Sequence, residues 1–182
     1  MNQYIKTTSI PGLLILGRPI FKDERGFFRE IFRQNELAEM TGMKFETLQV
    51  NHSHSEAKVL RGIHAERWNK IVYPLNGVVF VAIVDIRENT ETFGKVETFT
   101  INNENRFGLF IPNGLANSLC VISDVAVDYI YLVDQYYDGT DTRAIAWDDP
   151  DLKIDWPIKN PIISERDRNN PKLRELFPEK FK

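Results

Sequence analysis

Cysteine is almost absent from this chain of 182 residues: Cys120 stands alone, so no intrachain disulfide can form. It lies in the apolar run from Leu119 to Ile122, where an inert buried thiol is expected rather than a nucleophile. A lone thiol fits a reducing compartment. No apolar run approaches the roughly 20 residues that a membrane-crossing helix needs. The opening MNQYIKTTSI lacks the charged and apolar segments of a secretory leader, and the expectation is a cytoplasmic protein. Excess positive charge is missing as well, with 23 Lys and Arg against 26 Asp and Glu and a net charge of -3. Neither nucleic acid nor a membrane surface is therefore an expected partner. No P-loop, GxGxxG or CxxC pattern occurs. Histidine is scarce, with only His52, His54 and His64.

Strand-forming patterns dominate what is present. Leu48, Val50 and His52 alternate with Gln49, Asn51 and Ser53, which sets the two groups on opposite faces of one strand. Residues 71–86 are rich in Val, Ile and Phe and are split by Asn76-Gly77, a dipeptide that favours a two-residue type I′ hairpin. The run from Val78 to Val84 is almost wholly apolar, as in a strand covered on both faces. Further strands are expected at 97–101, 107–111, 118–121, 126–133 and 144–146. Asp23-Glu24-Arg25-Gly26 reads as a turn, residues 35–40 as a short helix, and another helix is expected near 172–176. Pro150, Pro157, Pro161 and Pro171 punctuate a polar tail that should wrap the core. No repeat or linker divides the chain. One antiparallel all-β domain of double-sheet type is the expected architecture.

The densest chemistry sits in Val59-Leu60-Arg61-Gly62-Ile63-His64, followed six residues later by Lys70. Arginine suits an anionic group, lysine a developing oxyanion and histidine a proton. Gly62 permits a bulge that could aim its neighbours into a pocket. An acid/base histidine needs an orienting carboxylate, and Asp85, Asp148 and Asp167 are candidates that spacing does not separate. His52 and His54, at i and i+2 of a strand, share a face and could begin a metal site with His64 as third ligand. Roles in packing and hydrogen bonding are the preferred reading of that pair. Asn117, after the Ile111-Pro112-Asn113-Gly114 turn, is a poor transition-metal ligand where a metal-binding barrel would carry histidine. Arg25, Glu30, Gln49, Asn51 and Arg61 form a scattered polar set that, taken alone, reads as a solvated sheet face. Tyr131, Tyr136 and Tyr137 read as core, or as a phenolic acid with a stacking platform for a base. Ser164 has no nucleophile motif around it.

Longer motifs point to a family. Phe21-Lys22-Asp23-Glu24-Arg25-Gly26-Phe27-Phe28-Arg29-Glu30, VLRGIHAE at 59–66, Asn69-Lys70, VDIRENTETFG at 84–94 and IPNGLANSLCVISD at 111–124 resemble the dTDP-4-dehydrorhamnose 3,5-epimerases. So do YLVDQYY at 131–137, Trp147-Asp148-Asp149-Pro150, Ile154-Asp155-Trp156-Pro157 and Ile163-Ser164-Glu165-Arg166-Asp167. The resemblance runs from about residue 21 to 171 in the family's order, within one domain spanning 1–182. It implies a cupin-like double-stranded β-helix, a jelly roll with short peripheral helices, working without metal or cofactor and as a homodimer. The implied substrate is a dTDP-linked 4-keto-6-deoxyhexose, inverted at C3 and C5 through enolates formed next to the C4 ketone. By motif, His64 is implied as base, Asp167 as the holder of its tautomer, Tyr131 as acid and Lys70 as the group at the enolate oxygen. Arg25, Glu30, Gln49, Asn51, Arg61 and Arg166 are implied as nucleotide and sugar contacts, with Tyr137 stacking on thymine. Phe21 and Phe28 are candidates for completing the site of a partner subunit.

Two positions depart from the common pattern. Leu115-Ala116-Asn117 replaces Phe-Ala-His, so Asn117 stands where a sugar-contacting histidine is usual, as in a subset that shares His-Ala-Glu after the Arg-Gly pair. Thr142 replaces a glutamate that commonly meets the nucleotide. The alternatives are a single-carbon epimerase of another nucleotide-linked keto sugar, a metal-dependent cupin enzyme, and a non-catalytic carbohydrate- or nucleotide-binding sandwich.

Overall fold

The computed structural model describes residues 3–139 and 143–182. In chain order its strands are β1 (Ile5–Thr7), β2 (Leu14–Leu16), β3 (Phe21–Asp23), β4 (Gly26–Phe28), β5 (Gln49–Ser55), β6 (Leu60–Ala65), β7 (Lys70–Pro74), β8 (Val79–Asp85), β9 (Val96–Ile101), β10 (Gly108–Ile111), β11 (Leu115–Val121), β12 (Val127–Val133) and β13 (Arg143–Ala144). The helices are α1 (Gln34–Thr41), α2 (Glu165–Arg168) and α3 (Leu173–Leu176), followed by a 3-10 turn at Pro178–Phe181.

Strand alternation sorts the side chains into layers. A six-stranded sheet runs β1-β2-β10-β7-β12-β5 and a five-stranded sheet runs β13-β6-β11-β8-β9. The two sheets enclose an apolar interior in which Val72, Leu109 and Ile111 of the first meet Val81, Ile83 and Leu119 of the second. Outside the five-stranded sheet, Ile63, Val84 and Ala116 are roofed by Leu152, Leu173 and Phe177 from the tail. Phe177 is 1% exposed, and cutting such a ring to Ala costs about 3–5 kcal/mol. Outside the six-stranded sheet, Leu37 of α1 and Phe45 pack on Ile71 and Phe110. Sheets covered on both faces explain the continuous apolar runs of β7 and β8.

The expected jelly roll is present, with only short helices at its periphery. One local expectation is corrected. Asn76-Gly77 does turn the chain, with Gly77 at φ +68°, but it closes no hairpin. β7 pairs with β10 and β12, whereas β8 pairs with β11 and β9, so the turn passes the chain from one sheet to the other. Its polar groups are satisfied by the start of β12 and the segment before it. Asn76 Nδ2 donates to the Ala126 carbonyl (3.1 Å), Asp128 N–H donates to Asn76 Oδ1 (2.7 Å), and Val78 N–H donates to Ser123 Oγ (3.1 Å). The strand expected at 118–121 starts earlier, at Leu115, and α2 was not expected from sequence.

Candidate active site

A cavity of about 500 Å³ opens between the two sheets. β6 and β11 supply Arg61, His64, Asn117 and Leu119 from one wall. β5, β7 and β12 supply Ser53, Lys70, Val72, Tyr129 and Tyr131 from the other, and the tail closes the rim with Arg166 and Asp167. A second chamber of about 280 Å³ is lined by Gln49, Asn51, Trp68 and Tyr137, and shares His64, Glu66, Tyr131 and Arg166 with the first. Polar residues at alternate positions of β5 thus face inward, as their spacing predicts.

Gly62 makes the histidine wall possible. Its φ is +133°, and a Cβ there would lie 2.7 Å from Ser118 Cβ and 2.8 Å from Ser118 Cα. The β6–β11 register slips at this point: Asn117 sits opposite His64, but Leu119 sits opposite Arg61. β6 therefore carries one extra residue, the expected bulge. The Gly62 N–H donates to Asp167 Oδ2 (3.2 Å), and the other oxygen, Oδ1, accepts from His64 Nε2–H (2.7 Å). A carboxylate can only accept, so Nε2 carries a proton, and in the neutral ring the lone pair lies on Nδ1. Ser164 holds Asp167 in turn, its Oγ accepting from the Asp167 N–H (3.1 Å) at the start of α2. Burial pushes the Asp167 carboxyl up, but the hydrogen bonds and charge of His64 and the Gly62 N–H outweigh it, leaving the group below its ordinary value. Of the three candidate carboxylates, Asp85 instead pairs with Arg87 and Asp148 with Lys172.

Tyr131 rises from β12 on the wall facing His64 and is held protonated. Burial pushes its phenol up, and the nearby Glu66 carboxylate adds to the effect. Lys70 is 3% exposed, and its ammonium donates to a Glu66 carboxylate oxygen and to Asn117 Oδ1. Arg61 Nε donates to Ser55 Oγ (2.8 Å) and its Nη2 to the His54 carbonyl (3.0 Å), which steadies the guanidinium at the cavity rim. In the second chamber Tyr137 is exposed and meets Trp68 edge-on with ring centroids 6.4 Å apart. Gln49 braces this end, accepting from the Tyr137 N–H (3.2 Å) and donating to Asn51 Oδ1 (2.6 Å).

Ten of the twelve expected site residues therefore line the two chambers: His64, Lys70, Tyr131, Asp167, Gln49, Asn51, Arg61, Asn117, Arg166 and Tyr137. Arg25 and Glu30 do not. Arg25 lies in the β3–β4 hairpin, paired with Asp23 (2.5 Å), and Glu30 pairs with Arg18 (2.5 Å) and Arg33 (2.9 Å). Phe21 and Phe28 are exposed on the same hairpin. Thr142 lies outside the described residues. The histidine trio does not converge, because His52 and His54 point out of the sheet and share Asp128 Oδ1 at 2.9 Å each, whereas His64 belongs to the other sheet.

Three residues were missed by sequence reasoning. Glu66 stands two positions after His64, an i, i+2 spacing that signals a shared face. Tyr129 stands two positions before Tyr131 with the same signal; its hydroxyl is buried at the cavity without a hydrogen-bond partner among the described residues. Ser164 carries the signature of a helix start before Glu165-Arg166-Asp167, and its hydroxyl serves as a cap.

Comparison with known proteins follows the same outline. The family model for dTDP-4-dehydrorhamnose 3,5-epimerase matches residues 7–175. A curated dTDP-4-dehydrorhamnose 3,5-epimerase of Shigella flexneri is 41% identical over 170 residues, covering 91% of this chain and 93% of the relative. The crystal structure of the Legionella pneumophila 3,5-epimerase in complex with dTDP-4-keto-L-rhamnose is 35% identical, with a TM-score of 0.89 over 96% of this chain and 95% of that one. A 3′-monoepimerase of Streptomyces bikiniensis, solved with dTDP-quinovose, is 30% identical, with a TM-score of 0.87 over 96% of this chain and 89% of that one.

Proposed function

The chain belongs to the dTDP-4-dehydrorhamnose 3,5-epimerase family, and from that premise we propose how its own residues carry out the reaction. It is an isomerase that inverts C3 and C5 of dTDP-4-dehydro-6-deoxy-D-glucose to give dTDP-4-dehydro-L-rhamnose, a step toward a deoxysugar. Both carbons flank the C4 ketone, so each C–H bond can be broken heterolytically with its electron pair delocalised onto O4. His64 Nδ1 takes the proton, Asp167 stabilises the imidazolium that results, and the Lys70 ammonium stabilises the enolate oxygen. Tyr131 delivers a proton to the opposite face of the same carbon, inverting it; the tyrosinate then regains a proton from solvent and the imidazolium gives its own up to solvent, which restores both groups. No net oxidation occurs, so the cycle needs no redox partner.

The observation that carries this reading is the placement of the His64–Asp167 pair and Tyr131 on facing walls of one cavity, with Lys70 between the sheets. Arg61 and Arg166 suit the diphosphate, and Gln49, Asn51 and Asn117 the sugar. Tyr137, beside Trp68, suits stacking on thymine.

The working unit is a homodimer in the same reading. All six residues of β3 and β4 are exposed, with Phe21 at 62% and Phe28 at 67%, as a hairpin awaiting a partner subunit would be. Its docking would carry Arg25 toward the partner's cavity, which explains why Arg25 stands away from its own. Light scattering should return twice the chain mass. A cytoplasmic setting accords with the single buried thiol.

The deciding experiment is solvent exchange. In D₂O, dTDP-4-keto-6-deoxyglucose should gain deuterium at C3 and at C5. Uptake at neither carbon would refute the assignment. A single inversion is the second reading, favoured by the likeness to the 3′-monoepimerase, and uptake at one carbon alone would establish it.

A further inference from the structure

We propose that Glu66 is a positioning residue of this site: it holds the Lys70 ammonium across the gap between the two sheets and keeps a negative charge beside the tyrosine acid. The inference rests on the epimerase reading and adds to it a residue whose part that reading does not specify. Lys70 opens β7 in the six-stranded sheet, whereas Glu66 follows β6 and Asn117 lies on β11 in the five-stranded sheet. The ammonium is almost wholly buried and donates to both. A lysine chain has four rotatable bonds, so burial among Val72 and Leu119 leaves its tip undefined unless two acceptors fix it. Asn117 supplies a neutral acceptor, and among the described residues lining the cavity Glu66 is the only carboxylate besides Asp167, which is already committed to His64 and Gly62.

The same carboxylate acts on the other reacting group. The groups facing Glu66 around the cavity are Lys70, His64, Asp167, Arg61, Arg166, Tyr129 and Tyr131. Its charge adds to burial in raising the Tyr131 phenol, so the acid stays protonated through neutral pH. Arg61 pulls the other way by a smaller amount. A neutral amide at position 66 would leave the cavity shape nearly unchanged, take the negative charge away from both groups and leave the ammonium only a weaker, neutral acceptor.

Glu66→Gln is therefore the informative variant, measured by turnover of dTDP-4-keto-6-deoxyglucose and by deuterium exchange beside the wild type. Turnover should fall about ten-fold or more with KM held within about two-fold, because the lost interaction matters most as the enolate forms. The alkaline limb of the kcat profile should move to lower pH, because Tyr131 loses the charge that keeps its proton. Glu66→Asp should recover part of the turnover. Matched thermal melts of the variants show that the fold is kept. A Glu66→Gln protein with wild-type turnover, or one whose alkaline limb stays in place, overturns the inference. Failure of the wild type itself to exchange deuterium instead overturns the epimerase reading, so the two are told apart.

Discussion

His64 and Asp167 stand 103 residues apart in the chain, yet the imidazole Nε2–H donates to Asp167 Oδ1 over 2.7 Å. The contact is held from both sides: Gly62 N–H binds the second carboxylate oxygen and Ser164 caps the turn that carries it. The pair fixes one nitrogen of the ring as a donor and leaves the other open, as the proposed role of His64 as base requires.

Asp167→Asn should therefore lower turnover by on the order of a hundred-fold or more, because an amide NH₂ facing the ring favours the wrong tautomer. Steady-state kinetics with an unchanged circular dichroism spectrum would check this. A loss of less than about three-fold would mean that the tautomer does not matter here.

The same residue makes a stability prediction. The folded carboxyl lies below its ordinary value, so its contribution is complete above the unfolded value and disappears as pH falls through the folded one. Wild-type stability should thus drop on acidification below about pH 4. Asp167→Asn, which has no proton to take up there, should lose less over that window. Urea denaturation of both proteins between pH 2 and 6 reads the difference.

Tyr131→Phe should separate exchange from inversion. Without the phenol, His64 can still remove a proton and return one from its own side. Deuterium would enter the substrate while its configuration is retained, and binding of the nucleotide sugar would be little changed. NMR of the recovered sugar distinguishes the outcomes; wild-type turnover would remove Tyr131 from the mechanism.

Gly62→Ala should destabilise the fold by about 2–4 kcal/mol, since the new methyl meets Ser118 backbone and Cβ in a strained region of backbone space. Thermal melts check the loss. Because the same bulge aims His64, the folded fraction should also show reduced turnover per molecule.

Cys120 is wholly buried, and burial pushes its thiol up to about 11. A thiol reagent at pH 8 should modify it only as fast as the protein opens, and rapidly in denaturant. Prompt native-state labelling would contradict its place in the core.

Legibility differed from element to element for physical reasons. The period-two pattern of β5 announced which of its side chains face the cavity, because a strand's alternation is a local property. The apolar run of β8 announced burial on both faces. Asn76-Gly77 announced a turn but not its partners, since a turn's φ values are local and strand pairing is a matter of which hydrogen-bonding edges meet. Asp85, Asp148 and Asp167 were equivalent by spacing, and only the path of the tail across the barrel rim brought one of them to His64. Glu66 went unnoticed because its partner, Lys70, arrives from the other sheet.

The opening motif from Arg61 to Lys70 shows the division. Residue chemistry alone assigned a cation for an anion, a base for a proton and an ammonium for an oxyanion, and the longer motifs assigned the family, because chemical type is carried by each residue wherever it lies. The barrel decided which walls those groups occupy: His64 on one sheet, Tyr131 on the other, Lys70 tied between them, and Arg25 out on an exposed hairpin. Inversion at carbon needs base and acid on opposite sides, and opposition is a property of two sheets packed face to face, which no local stretch of chain can contain.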